Sequence, residues 1–451
     1  MLKFGKIIFL CILVSTVTLS GCGGGGAGSD NMPGGGDDLP DDAQSVQIDT
    51  SFGLNGVTIT NINNCNNILK AIIIQPDDKI IAAGSNNTNG ANEDFIIVRY
   101  NKDGTLDASF GTGGYSTYEK SGTDDELVAV TLLPDGRIIT CGYNRVPYSV
   151  DYKQMIVCYN SDGSINEDFG INGIINNVPG IIYDVKALAD GNFLVCGYNL
   201  SGLGWNNAFV AKYKPDGTLN TDFNNTGSRS FIMTGYTTSN CAYSISIYSD
   251  KIFVAGKGQT ELNGGTVSII KCLNMNGTDD TMFGAESLVI VDVRPGFDDY
   301  FNKIVVSSNN KIYVTSYRYV YPAHTNFNVM CYNLNGSIDT TFGTDGVLTA
   351  SVSNYSDDPS DIIVLNDESL FTCGVGTTMT DYDFAFAKFS ASGILDCDFD
   401  GDGKMLYQLS DKQDRCRALG VQSNGDIIAA GYSKNINNYD FAIMRFKINA
   451  Q

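Results

Sequence analysis

A phenylalanine closing an acidic or polar turn returns seven times along the chain, in IDTSFG, LDASFG, INEDFG, LNTDFN, TDDTMFG, IDTTFG and LDCDFD. These are Phe52, Phe110, Phe169, Phe223, Phe283, Phe342 and Phe399, spaced 58, 59, 54, 60, 59 and 57 residues apart. Residues 46 to 451 number 406, which is seven times 58, so the repeats fill everything after the N-terminal stretch. A period of this length decides the architecture before any local reading, because a unit too small to bury its own core must stack on its neighbours.

Each period carries a hairpin, clearest in LVAVTLLPDGRIITCGY, where Pro134-Asp135-Gly136 separates two β-branched runs. Asp-Gly and Asn-Gly supply the positive φ of a tight hairpin turn, and Asp190-Gly191 and Asn424-Gly425 hold the same place. A third strand follows, as in DFIIVRYNKDG or QMIVCYNSDG, and a short fourth follows the phenylalanine, as in Gly56-Val57-Thr58-Ile59. Four short antiparallel strands per unit, without helical periodicity, predict an all-β chain folded as one seven-bladed β-propeller over 46–451. The chain begins at a phenylalanine turn without its preceding strand and stops on a strand without its following turn, as a ring cut once would. An open solenoid cut there would look the same. The pattern LDxSFGxxG, DGKIxxAG, DFxxxRYNxDG, matched here by IDTSFG, DDKIIAAG and DFIIVRYNKDG, resembles the delta-60 repeat family of bacterial proteins, and the resemblance implies a propeller without implying an activity. Glycine is replaced after Phe223 and Phe399, and the fifth repeat lacks its trailing glycine.

Ahead of the repeats, Lys3 and Lys6 precede an apolar run from Ile7 to Leu19, the pattern of a secretory signal over 1–21 and too short for a membrane span. Leu19-Ser20-Gly21-Cys22 resembles the lipobox of bacterial lipoproteins, which implies lipidation at Cys22 and a membrane anchor. Gly23 stands where enteric lipoproteins retained at the inner membrane carry aspartate, so the resemblance implies an outer-membrane or cell-surface location. Residues 22–45, rich in Gly and Asp, read as a mobile tether.

Removing two lysines with residues 1–21 takes the formal charge from −21 to −23, and no basic cluster interrupts it, which argues against nucleic acid as a partner. The cysteines follow the repeat rather than a disulfide framework. Cys141, Cys196 and Cys373 stand where Ala83, Ala255 and Ala430 stand elsewhere, and Cys158, Cys272 and Cys331 share a place with Arg99, Lys212, Lys388 and Arg445. Cys65, Cys241, Cys397 and Cys416 fall outside both sets; a bridge, if present, is expected between Cys397 and Cys416.

In a propeller the Asp-Gly hairpins and the phenylalanine turns share one face, and the loops of variable length share the other. The variable face carries Tyr143, Arg145, Tyr148 and Tyr152 in the second repeat, Trp205 in the third, and Tyr317, Arg318, Tyr319, Tyr321 and His324 in the fifth. Tyrosine and arginine gather at recognition surfaces, and equally cap the ends of blades. Its acidic loops, Asp124-Asp125-Glu126, Asp298-Asp299 and Asp357-Asp358 with Asp361, read first as a solvated surface. Asp396-Cys397-Asp398-Phe399-Asp400-Gly401-Asp402 matches the opening of a calcium loop, making Asp396, Asp398 and Asp400 candidate ligands, although Tyr407 stands where such a loop ends in glutamate.

His324 is the only histidine, which leaves nucleophile triads and histidine metal sites unsupported. The chain therefore reads as an envelope-anchored binding or scaffold protein for a glycan, peptide or protein ligand, needing no cofactor beyond a possible calcium ion. A polysaccharide hydrolase or lyase using loop carboxylates, and a purely structural surface protein, are the alternatives.

Overall fold

The computed structural model describes residues 45–449 apart from 89–91, 121, 150, 177, 179, 201–205, 232–239, 260–265, 292–298 and 321–323. Among them there is no helix. Seven antiparallel sheets follow one another, and four strands make up the first: Asn66–Ile74 innermost, then Ile80–Thr88, Asn92–Tyr100 and the short Tyr115–Tyr118. The inner strands of the other blades are Asp124–Leu132, Gly180–Ala187, Asn240–Tyr248, Asp299–Val306, Asp357–Val364 and Asp414–Val421. Each inner strand contacts the next, and the last contacts the first. The molecule is a closed seven-bladed propeller, which removes the open solenoid.

The sequence period and the blade are out of step. The short strand after each phenylalanine pairs with the blade before it, so every period gives one outer strand backwards and three strands forwards. Closure follows from this offset. Val57–Thr60 is the outer strand of the seventh blade, pairing with Phe441 to Met444 of Tyr439–Asn449, while Ser45–Ile48 pairs with the last four residues of that same strand.

The phenylalanine turn works through its aspartate. Asp49 and Asp107 each accept the backbone N–H two residues on, at 3.0 and 3.1 Å, and their carbonyls accept from Phe52 and Phe110 at 3.0 Å. This tight turn drives the ring into the gap between blades, where all seven phenylalanines are at most 1% exposed. The glycine of the next Lys-Asp-Gly or Ser-Asp-Gly turn closes over the ring: at Gly104, whose φ is +86°, a Cβ would come within 2.7 Å of Phe52. The turns are also stitched blade to blade, with Gly53, Gly111 and Gly170 N–H donating to the carbonyls of Asp103, Asp162 and Asp216.

All seven inner strands carry a β-bulge at the same place, which inserts Lys70, Val128, Tyr183, Tyr243, Asn302, Ser360 and Arg417. The bulge explains the glycine of the AG and CG pairs. A Cβ at Gly142, Gly197 or Gly256 would lie 2.0 Å from the inner-strand carbonyl of Glu126, Ile181 or Cys241. Gly197→Ala is expected to cost about 3 kcal/mol, the upper range for overpacking a buried site, and to lower the unfolding midpoint in a denaturant titration. An unchanged midpoint would mean that the bulge relaxes freely.

Cys141, Cys196 and Cys373 are fully buried in the inter-blade cores, as small strand residues. Cys416 is a free, fully buried thiol packed beside Cys373 in the core between the sixth and seventh blades. The expected Cys397 to Cys416 bridge is therefore not formed: Cys416 points into the core from an inner strand, whereas Cys397 lies on a surface turn.

Candidate functional site

The bulges break the alternation of the inner strands and turn one side chain per blade along the inner wall of the ring. The contacts run from blade to blade. Lys70 Nζ lies 2.6 Å from Glu126, Tyr183 meets Tyr243 with ring centroids 4.9 Å apart, and Tyr243 meets Tyr300 at 5.4 Å. Second-strand residues paired with Glu126, Ile181 and Cys241, two places before the bulge, add Tyr143, Tyr198 and Lys257. Tyr198 packs on Tyr183 at 6.1 Å, and the Lys257 ammonium sits 5.7 and 5.5 Å from the Tyr243 and Tyr300 rings. The result is a belt of tyrosines along blades two to five, partly buried and grouped around Ile181 and Cys241.

At one end of the belt two carboxylates are pushed apart in acidity. Burial and then the charge of Glu126 raise Glu93 above the ordinary glutamate value. Burial acts on Glu126 too, but the Lys70 ammonium and hydrogen bonds from Lys70 and Tyr143 hold it below that value. Burial raises the phenols of Tyr143, Tyr183, Tyr198 and Tyr243 well above their usual range, so each stays a neutral donor at physiological pH. A neutral phenol is a poor general base and a good hydrogen-bonding platform.

Of the residues expected from the sequence, Tyr143, Arg145 and Tyr152 do come together. The Tyr143 and Tyr152 rings meet edge-on at 5.2 Å, the Arg145 guanidinium lies 5.7 Å from the Tyr152 centroid, and Arg145 pairs with Asp124 at 3.5 Å. Tyr148 stands apart at a fully exposed loop tip with φ +67°. Arg318 and Tyr319 end the strand Lys311–Val320, which pairs with the two-residue strand His324–Thr325; the side chains of Arg318, Tyr319 and His324 lie outside the described residues. Trp205, Tyr321 and Cys22 lie outside them altogether.

Of the acidic loops expected to be a solvated surface, those at 124–126 and 357–361 hold buried carboxylates, while Asp298 and the side chain of Asp299 lie outside the described residues. Asp125 and Asp357 are fully buried, and each folds its loop back by accepting backbone N–H groups, from Lys120 at 3.0 Å and from Val352 and Ser353 at 2.8 and 3.0 Å. Asp361 is 6% exposed, pairs with Lys303 at 3.3 Å and accepts from Leu419 N–H of the next blade at 2.9 Å. The sequence gives no cue for this, because a carboxylate that caps backbone looks the same as a solvated one. In the calcium-like turn, Asp396 gives one oxygen to Lys388 at 2.5 Å and the other to the N–H of Asp398 at 3.1 Å, the ordinary bonding of a phenylalanine turn. Among the described residues no three acidic, histidine or cysteine side chains gather as a metal site, there or elsewhere.

Lys70, Tyr183, Tyr243, Tyr300, Lys257, Arg415 and Arg417 are wall residues that sequence reasoning missed. Lys70, Tyr183, Tyr243 and Arg417 are bulge residues, Tyr300 and Arg415 stand two places before a bulge, and Lys257 is on a second strand. Two clefts of about 340 and 350 Å³ open on the opposite, hairpin face. The first lies at the ring closure, and much of its polar lining is taken up in closing the ring: Arg445 pairs with Asp49 at 2.6 Å, Gln422 donates to the Asp78 carbonyl and Ser423 to its carboxylate.

Residues 75–110, 249–283, 307–342 and 422–447 match the family model described as "Domain of unknown function (DUF5122) beta-propeller", which supports a β-propeller repeat family. Three of the matched stretches run from the hairpin turn to the phenylalanine, the best-kept part of each period. No curated protein matches the chain. Among solved structures, the β-propeller domain of the trilobed protease from Pyrococcus furiosus is 10% identical, with a TM-score of 0.45 over 87% of this chain and 96% of that one. A catalytically inactive virginiamycin B lyase from Staphylococcus aureus is 11% identical, with a TM-score of 0.43 over 86% of this chain and 98% of that one. The polysaccharide lyase Uly1 is 11% identical, with a TM-score of 0.43 over 85% and 90%. At such identities the likeness is one of fold.

Proposed function

We propose that this chain is a lipid-anchored propeller of the delta-60 repeat kind that holds an extended glycan on the tyrosine belt of its inner wall. The observation that carries this reading is the belt itself. Four blades contribute rings in contact with one another, two of them, Tyr183 and Tyr243, on bulges of the inner strands, and the hydroxyls of Tyr143, Tyr183, Tyr198 and Tyr243 are kept neutral. Sugar rings stack on such faces and exchange hydrogen bonds with such edges, at small entropic cost because the rings are already held. The lipobox-like Cys22 and the tether after it would present this wall outside the cell.

Tyr183→Ala with Tyr243→Ala is expected to weaken glycan retention at least tenfold, about 1.4 kcal/mol or more, in pull-downs on an immobilised glycan panel. Unchanged retention in a folded double variant would remove the belt from the function. The anchor is checked in the same cells, where Cys22→Ser should move the protein from the membrane to the soluble fraction.

One observation favours a second reading, a hydrolase, namely the neighbouring Glu93 and Glu126 with acidities displaced in opposite directions. Release of reducing ends from the same panel, abolished by Glu93→Gln, would make the protein an enzyme.

A further inference from the structure

We infer that the glycan is anionic, its acid groups being met by Arg415, Arg417 and Lys257. The inference rests on the reading of the wall as a glycan platform and adds the charge of the ligand. The chain has 29 lysines and arginines against 50 acids, so cations are scarce, and the described ones are commonly spent on aspartates. Arg99 holds Asp107 at 2.7 Å, Arg445 holds Asp49 at 2.6 Å, and Lys311 holds Asp339 at 2.8 Å.

Three cations of the wall are placed differently. Arg417 is the bulge residue of the seventh inner strand, Arg415 stands two residues before it, and Lys257 stands opposite the corresponding place of the fourth. None of the three makes an ion pair among the described residues; each lies against tyrosine instead. The Arg415 guanidinium is 4.4 Å from the Tyr382 centroid, and that of Arg417 is 5.6 Å from Tyr432, whose hydroxyl accepts its Nη2 at 3.3 Å. Stacking fixes the plane of a guanidinium and leaves its edge free for a two-pronged acceptor such as a carboxylate or a sulfate ester. The Nε of Arg417 is buried with no hydrogen-bond partner, so the guanidinium is not neutralised from within the protein.

Among the described residues, the acids of the wall are largely engaged elsewhere. Glu126 is taken by Lys70 and Tyr143, and Asp124 by Arg145. Burial and then the charge of Glu126 raise Glu93 above the ordinary glutamate value, and Asp358 accepts the Thr325 hydroxyl at 2.9 Å. An acidic peptide carries the same charges, but a peptide also asks for apolar sockets, and the belt offers aromatic faces rimmed by hydroxyls.

The test is binding of the purified full-length chain to immobilised polygalacturonate, dextran sulfate, neutral dextran and polyglutamate. Retention on polygalacturonate or dextran sulfate is expected, the preferred one distinguishing a carboxylate from a sulfate ester, with little on dextran. The combined R415A, R417A and K257A changes should weaken it at least tenfold, and R415K with R417K should keep part of it. Since the triple variant could fold poorly, the wild-type chain is also eluted with rising salt, and elution should come early, as short-range charge pairing requires. Equal binding to dextran, unaffected by salt, would overturn the anionic ligand and leave the glycan platform standing. Binding to polyglutamate alone, or to none of the four, would overturn both.

Discussion

Removing residues 45–60 is expected to abolish the closed ring. That segment supplies both strands that pair with Tyr439–Asn449, and it includes Phe52, the wedge between the last blade and the first. Without it Tyr439–Asn449, which carries Phe441 and Ile443 on one face and Met444 on the other, becomes an open sheet edge, a template for association with other chains. Loss of Phe52 alone corresponds to about 3–5 kcal/mol in a packed core, and loss of the paired strands adds to it. The truncated chain should aggregate, or should unfold at a midpoint lower by about 10 °C or more and with reduced cooperativity in calorimetry, a shift several times that of about 1 kcal/mol in a large domain. The complementary change should work in the opposite direction. Gln47 and Lys447 lie directly opposite each other and are exposed, so Gln47→Cys with Lys447→Cys should form a bridge that raises stability by up to about 5 kcal/mol. A truncation that unfolds like the parent chain, or a bridge whose reduction changes nothing, would show that the seam does not hold the ring.

The second large effect is one of pH. Asp94 on the third strand of the first blade is driven up to about 7, by burial and then by the charges of Glu119, Asp125 and Asp124. Asp383, at the same place in the sixth blade, is driven up to about 6 by burial and by Asp414 and Asp381. One oxygen of each is buried without a hydrogen-bond partner. A carboxylate whose folded pKa lies above its unfolded value near 4 makes the folded state bind extra protons between those two pH values. Its contribution is therefore harmless at about pH 4, and its cost grows until about pH 7, so these sites make the propeller less stable as pH rises through that window. At the closing seam Asn61 donates its amide to Asp440, which holds the place of Asp94 in the seventh blade. Asp94→Asn should stabilise the protein at pH 8 by about 2–4 kcal/mol, the free-energy equivalent of a shift of up to about three pH units, and should give nothing at pH 4. Denaturant titrations of both proteins at the two pH values decide it; equal gains at both would assign the effect to packing rather than charge.

The fold was legible because its determinants recur. The seven phenylalanines, the Asp-Gly hairpins and the unpaired ends of the chain each state one part of a closed ring. The site was legible only in part, for reasons that differ residue by residue. Tyr143, Arg145 and Tyr152 stood out as aromatics and a cation on variable loops, and they do meet. Lys70, Tyr183 and Arg417 were hidden inside apolar strands, because a bulge shifts the phase of the alternation and strand periodicity presumes no such shift. Asp125 and Asp357 were misread because burial and backbone capping are tertiary facts: the loop that folds over each carboxylate is not written in its neighbours.

The half-step between the period and the blade bears on how such a molecule can lengthen. A gene segment of one period, inserted anywhere in the array, hands one outer strand to the blade on its left and receives one from the period on its right, so no junction is left unpaired. The two chain ends meet on Tyr439–Asn449 whatever the number of units between them. Duplication can therefore alter the bore of the ring, and with it the set of side chains facing inward, while the clasp stays the same.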